Sequence, residues 1–175
     1  MSKYVIPVLI ALLGVLWMSH ALWAEEPKAE ATTEVKAAAN AYVGDNEKKC
    51  AMCHKAQVEA WKKWAMASAW DKLSDDEKKS EACIKCHVTG YGQEGGWVSF
   101  EKTPGLVGVQ CEACHGPAAA HMKVPMADKE KRKATMMKPD EASCKVCHIK
   151  EGNPNFKEFK YDEAVKALAD HLPKK

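Results

Sequence analysis

The sequence predicts a mainly α chain with little regular strand, and three observations carry that prediction. Apolar residues recur at helical spacing in Val58, Trp61, Ala65 and Ala69, and segment 161–172 is amphipathic with the same period. Ser74-Asp75-Asp76-Glu77 has the form of a helix-capping box. All eight cysteines fall in four copies of Cys-x-x-Cys-His, at 50–54, 83–87, 111–115 and 144–148.

The cysteine pattern also points to a chemistry. Two thiols separated by two residues add across the vinyl groups of a haem, and the adjacent imidazole takes an axial position on its iron. Cys50, Cys53, Cys83, Cys86, Cys111, Cys114, Cys144 and Cys147 are then attachment residues, and His54, His87, His115 and His148 are proximal ligands. A disulfide framework explains an even cysteine count, and zinc explains paired cysteines and histidines. Neither explains a histidine after every second cysteine. The expected architecture is therefore a compact multihaem cytochrome fold built around four covalently attached haem c groups.

In chain order, residues 1–24 have the form of an export signal. Lys3 precedes an apolar run, and Ala24 is followed by the acidic pair Glu25-Glu26, which places cleavage after Ala24. The run is short for an uncleaved membrane anchor. Residues 25–43 are rich in Ala, Glu, Lys and Thr and read as a flexible linker. The tetrahaem domain is expected over 44–175. Within it, 55–73 reads as one helix, the capping box as the start of a second helix carrying the 83–87 motif, and 128–137 as a charged surface segment. The glycine-rich stretch 90–97 lacks the Gly-Lys-Ser/Thr ending of a phosphate loop. Its expected role is to let backbone approach a porphyrin closely. Export matches the pattern, because haem is attached to such chains outside the bacterial cytoplasm.

The formal charge is +2, and loss of Lys3 with the signal lowers it to +1. Two propionates on each haem make the loaded protein acidic. Nothing here points to nucleic acid. The lysines are expected to solvate the surface and to pair with propionates or with a partner protein.

Counting axial ligands yields the most informative result. Four six-coordinate irons need eight ligands, yet beyond the four proximal histidines the mature chain offers only His121 and His171. Methionine is the natural substitute, and Met66, close to the tryptophans Trp61 and Trp64, is the best placed of the candidates. The bland alternative is that Met66 packs a core and ligates nothing.

On these residues the chain resembles the tetrahaem cytochrome c-554 family, whose type member accepts electrons from hydroxylamine oxidoreductase. The resemblance runs from Lys48 to His171. It rests on Lys49-Cys50…His54-Lys55-Ala56-Gln57 with Trp61, Cys86-His87-Val88…Gly90, and Gly95-Gly96. It continues through Gly108…Cys111-Glu112…Cys114-His115-Gly116-Pro117 to Tyr161-Asp162-Glu163…Val165-Lys166. The resemblance implies that His121 stands opposite the haem of His54, that His87 holds a five-coordinate haem, and that His171 completes a third site. Met66 occupies the position of the family's other distal histidine. That assigns it to the haem of His148, with His115 paired to His171. The chain is shorter than the type member between the third and fourth motifs and after His171.

The expected function is a periplasmic, non-enzymatic relay of electrons between redox protein partners. These are a hydroxylamine oxidoreductase-like donor or a membrane quinone-linked complex. Membrane association is expected only through a partner or an uncleaved signal. The alternatives are a redox enzyme acting on nitric oxide, nitrite, hydroxylamine or peroxide at the His87 haem, or a haem subunit of a membrane-linked complex.

Overall fold

Short helical pieces joined by turns make up the described part of the chain. The computed structural model describes residues 41–171. In it α1 spans Ala51–Trp61, α2 Glu81–Ile84, α3 Cys111–His115, α4 Ala119–Lys123, α5 Lys129–Ala134, α6 Glu141–Lys145 and α7 Tyr161–Ala167. Single 3-10 turns lie at Trp70–Lys72, Glu77–Lys79, Pro104–Leu106 and Ala169–His171. Among the described residues, extended pairing amounts to one antiparallel bridge between Val88 and Val107. The mainly α expectation holds. Helices this short are marginal by themselves, so what they pack against must hold them.

Several elements differ from their expected bounds. The helix expected over 55–73 is α1, which begins inside the first motif at Ala51, kinks at His54 (φ −119°, ψ 41°) and ends at Trp61. The chain continues in turns, and Met66 lies in them, not in a helix. The reason is geometric. Trp61, Trp64 and Met66 all line one cavity, whereas at about 100° per residue a continuous helix points residues 64 and 66 to nearly opposite sides. Trp61 is fixed where the helix stops, its indole donating to the Val109 carbonyl at 3.0 Å.

The capping box at Ser74 forms reciprocally. The Ser74 N–H donates to Glu77 Oε2 at 2.8 Å and the Glu77 N–H to Ser74 Oγ at 3.3 Å. It opens only the 3-10 turn Glu77–Lys79, because Ser80 turns extended (φ −90°, ψ 119°) and α2 starts afresh after it. The charged segment 128–137 contains α5, capped by Asp128, whose carboxylate accepts from the Lys131 N–H at 3.1 Å. The terminal amphipathic segment is α7 followed by the turn Ala169–His171; Leu172 lies outside the described residues. So do the signal segment and the linker up to residue 40. Residues 41–43 pack onto the body. The Ala119 N–H donates to the Ala41 carbonyl at 3.2 Å, and Tyr42 lies against the apolar cluster.

That cluster is small: Val88, Trp97 and Leu106, with Tyr42, Trp70, Tyr91 and Val107 around it. Much of the remaining interior is polar. Asn46, Thr89, Gln110 and Glu112 are all buried, and each is hydrogen-bonded to a different stretch of backbone, as buried polar groups must be. Gln110 donates through Nε2 to the Gly105 and Val107 carbonyls and accepts from the Asn46 N–H; Thr89 Oγ1 donates to the Gly108 carbonyl and accepts from the Gln110 N–H. This polar hub ties the segment before the first motif, the segment after the second, and the third motif itself.

Candidate haem-binding site

The four motifs are held next to one another by thiol contacts as well as by the hub. All eight cysteines are free thiols, so the disulfide framework weighed above is not formed. Among the described residues no group of three or more His, Cys, Asp or Glu side chains is arranged to hold a metal ion. The Cys50 thiol is drawn below its ordinary range chiefly by a hydrogen bond with Cys111, and Cys111 is pushed up by the same contact. Burial and then the nearby Cys86 thiol push Cys147 up to about 12. Burial, then the Cys144 charge, raises Cys114. First motif thus adjoins third, second adjoins fourth, and third adjoins fourth.

The imidazoles are oriented by backbone. His87 Nδ1 lies 2.7 Å from the Ala69 carbonyl, His115 Nδ1 3.1 Å from that of Met137, and His121 Nδ1 3.0 Å from that of Arg132. A carbonyl can only accept, so each Nδ1 carries the proton and each Nε2 presents a lone pair. This is the tautomer a metal ligand needs, fixed in the way metal-binding histidines are usually fixed.

Two pairs of rings face one another. His54 and His121 have centroids 6.1 Å apart at 34°, and His115 and His171 stand 5.9 Å apart at 36°. With metal–nitrogen bonds of about 2 Å, that spacing suits an iron held between two imidazoles. Burial lowers the pKa of His54 first, helped by the charges of His121 and Arg132; burial likewise lowers His171 and His148. Depressed values favour the neutral, ligating form. The residues present therefore fit haem at these positions.

A cavity of about 820 Å³ opens at the second pair. Its wall combines Trp61, Trp64 and Leu168 with Cys111, Cys114, His115, Cys144 and His171. Apolar faces joined to attachment cysteines from two motifs are the chemistry of a porphyrin site. Met66 lies on this wall, beside the His115–His171 pair and Cys144. His148 stacks on Phe159 with ring centroids 4.5 Å apart at 18°; the contacts described do not bring Met66 to it. A second cavity, about 620 Å³, is lined by Trp70, Trp97 and Ile84, and Ile84 lies between the second motif's cysteines.

Sequence reasoning missed three residues. Glu112, between the attachment cysteines of the third motif, is 1% exposed. Its carboxylate accepts from the backbone N–H groups of Val43 (2.9 Å), Gly44 (2.7 Å) and Ala118 (2.7 Å). The available signal was a charge at a position where the attachment chemistry asks for none. Arg132 touches His121, and its signal was being the chain's only arginine. Phe159 carried no signal. Two of the 90–97 glycines make a close contact within the chain. Gly90 and Gly96 approach each other's backbone, and a Cβ on Gly96 would collide with the Gly90 carbonyl. The close approach they permit is chain to chain.

Comparison with known proteins agrees with this geometry. The family model described as "Cytochrome c554 and c-prime" matches residues 49–116. Cytochrome c-554 of Nitrosomonas europaea is 34% identical over 140 residues, covering 63% of this chain and 60% of that protein. Multiheme cytochrome MtrA of Shewanella baltica is 28% identical over 101 residues, covering 53% of this chain and 30% of that protein. The match thus spans less than two thirds of either relative. The solved structure of reduced cytochrome c554 from Nitrosomonas europaea superposes with a TM-score of 0.53 at 29% identity, over 73% of this chain and 83% of that one. With its four attachment motifs and its helical, sheet-free architecture among the described residues, the chain is similar to the tetrahaem cytochrome c-554 family, whose cofactor is covalently bound haem c.

Proposed function

We propose that the chain is an exported, periplasmic electron-relay protein with a signal over 1–24, a linker over 25–43 and a tetrahaem domain over 44–175. Similarity to multihaem cytochromes supports electron transfer with redox protein partners in general. A hydroxylamine oxidoreductase-like donor and a membrane quinone-linked complex are the specific partners proposed. Among the described residues no helix is long and apolar enough to cross a membrane.

One observation carries the reading. His115 and His121 sit in a single segment, yet each faces an imidazole from a distant part of the chain. That segment is placed to hold one haem and complete another, a joint between two redox centres. Haem, when bound, supplies a one-electron Fe(III)/Fe(II) couple. The residues do the rest. Each cysteine pair would prevent loss of the group outside the cell, paired imidazoles would close both faces of the iron to substrate, and backbone carbonyls hold His115 and His121, one ring of each pair. His54 with His121 and His115 with His171 are the proposed axial pairs, with Met66 as the ligand opposite His148.

The second cavity favours a further reading at one centre. His87 faces the Ala69 carbonyl through Nδ1, and Ile84, between the two cysteines of its motif, lines the cavity bounded by Trp70 and Trp97. An open position there would admit a small ligand such as nitric oxide. Electron paramagnetic resonance of the oxidised protein, with and without nitric oxide, tests both readings. The expected result is three low-spin haems and a single nitrosyl-forming one, with a thioether signature lost in Met66→Ala. Rapid steady-state turnover of nitric oxide or hydroxylamine would replace the carrier reading with an enzyme.

A further inference from the structure

We propose that the Arg132 side chain sets the potential of the haem held between His54 and His121, an inference that rests on that axial pairing. The chain has 26 cationic Lys and Arg side chains, and Arg132 is the only arginine among them. It sits in α5 and engages both nitrogens of the His121 ring. Its own carbonyl lies 3.0 Å from His121 Nδ1, and its guanidinium Nη2 lies 3.1 Å from His121 Nε2. Two further bonds fix the residue. Nη1 donates to the Val124 carbonyl at 2.7 Å, and Thr135 Oγ1 donates to the Arg132 carbonyl at 2.6 Å.

The two guanidinium contacts have different consequences. The Nε2 lone pair cannot serve both an N–H donor and an iron, so ligation releases that contact. The Val124 anchor is separate from the ring and holds the cation beside His121. An arginine remains charged at any working pH, and its rigid fork can span two acceptors where a lysine offers a single flexible point charge. Among the described residues no carboxylate pairs with it. The His54 and His121 rings stand 6.1 Å apart, so a charge beside His121 acts on both.

A fixed positive charge beside an iron disfavours the ferric state, which carries one more positive charge than the ferrous. Reduction adds one electron to the ferric iron, delivered by a neighbouring haem or a reduced redox protein. Arg132 therefore raises the potential of the first haem relative to what its imidazole pair alone would set.

Redox titration of the holoprotein, followed haem by haem by electron paramagnetic resonance, tests this with three variants. Arg132→Gln is expected to keep every low-spin signal while leaving one haem about tenfold more ferric at a fixed ambient potential, a downward shift of about 59 mV. Arg132→Lys, which keeps the charge, is expected to restore most of that shift. Unchanged potentials in Arg132→Gln, an equal shift of all four haems, or no rescue by lysine would overturn the proposal. Loss of a low-spin signal in Arg132→Gln would also overturn it, since the residue would then only prop up the ring. His121→Ala examines the underlying pairing by itself. One haem turning high-spin supports that pairing, whereas an unaltered low-spin count removes it whatever Arg132→Gln shows.

Discussion

Glu112 shows how one side chain can hold a site together without touching the reacting atoms. A carboxylate this deeply buried is tolerated because three backbone N–H groups point at it, from Val43, Gly44 and Ala118. Hydrogen bonds to an ionised acceptor are the strong kind. They fasten the chain entering the domain and the segment leading to His121 onto the third motif. Glu112→Ala removes the acceptor and strands the donors, at an expected cost of about 3 kcal/mol, since each buried unsatisfied group costs about 1–3 kcal/mol. Glu112→Gln is expected to fail as well, because its amide turns a donor toward donors. Urea unfolding of the holoprotein checks this; a midpoint within error of the parent would show that the three bonds add nothing.

Among the elements, the glycine loop after the second motif is the most tightly specified. Gly90 has φ +74° and meets Gly96 backbone to backbone, while the Trp97 N–H donates to the Thr89 carbonyl at 3.2 Å. The crossing delivers Trp97 to the apolar cluster and to the wall of the second cavity. Gly96→Ala places a methyl group against a backbone carbonyl that cannot yield as a side chain could. The expected penalty is about 3 kcal/mol, the upper part of the overpacking range, with a disturbed second-motif haem. Thermal unfolding and the optical spectrum read both effects. Gly92→Ala is the control, because a Cβ there meets nothing within 4 Å, leaving only the cost of its positive φ.

For the whole molecule, the decisive quantity is how little apolar side chain the polypeptide buries by itself. Among the described residues the buried hydrophobic ones are Val58, Ala60, Leu73, Val88, Trp97, Leu106, Ala118 and Val124. So few cannot offset the conformational entropy of ordering a domain of this length. The 820 Å³ cavity, walled by Trp61, Trp64 and Leu168, is where a porphyrin would supply the missing contacts. The haem-free chain is therefore expected to show little helix by circular dichroism, and a folded haem-free form would contradict this account. Attachment chemistry was legible in the sequence because it is local: two thiols and an imidazole must lie within five residues, so Cys111, Cys114 and His115 declare themselves by spacing alone. The shortage of second ligands followed from counting histidines. Family resemblance, not spacing, pointed His121 toward His54. That those rings meet, that Arg132 lies beside them, and that α1 stops at Trp61 so that Met66 can join the cavity wall were decided only by tertiary structure. These contacts join residues dozens of positions apart, and their geometry depends on the buried polar hub that brings the chain back on itself.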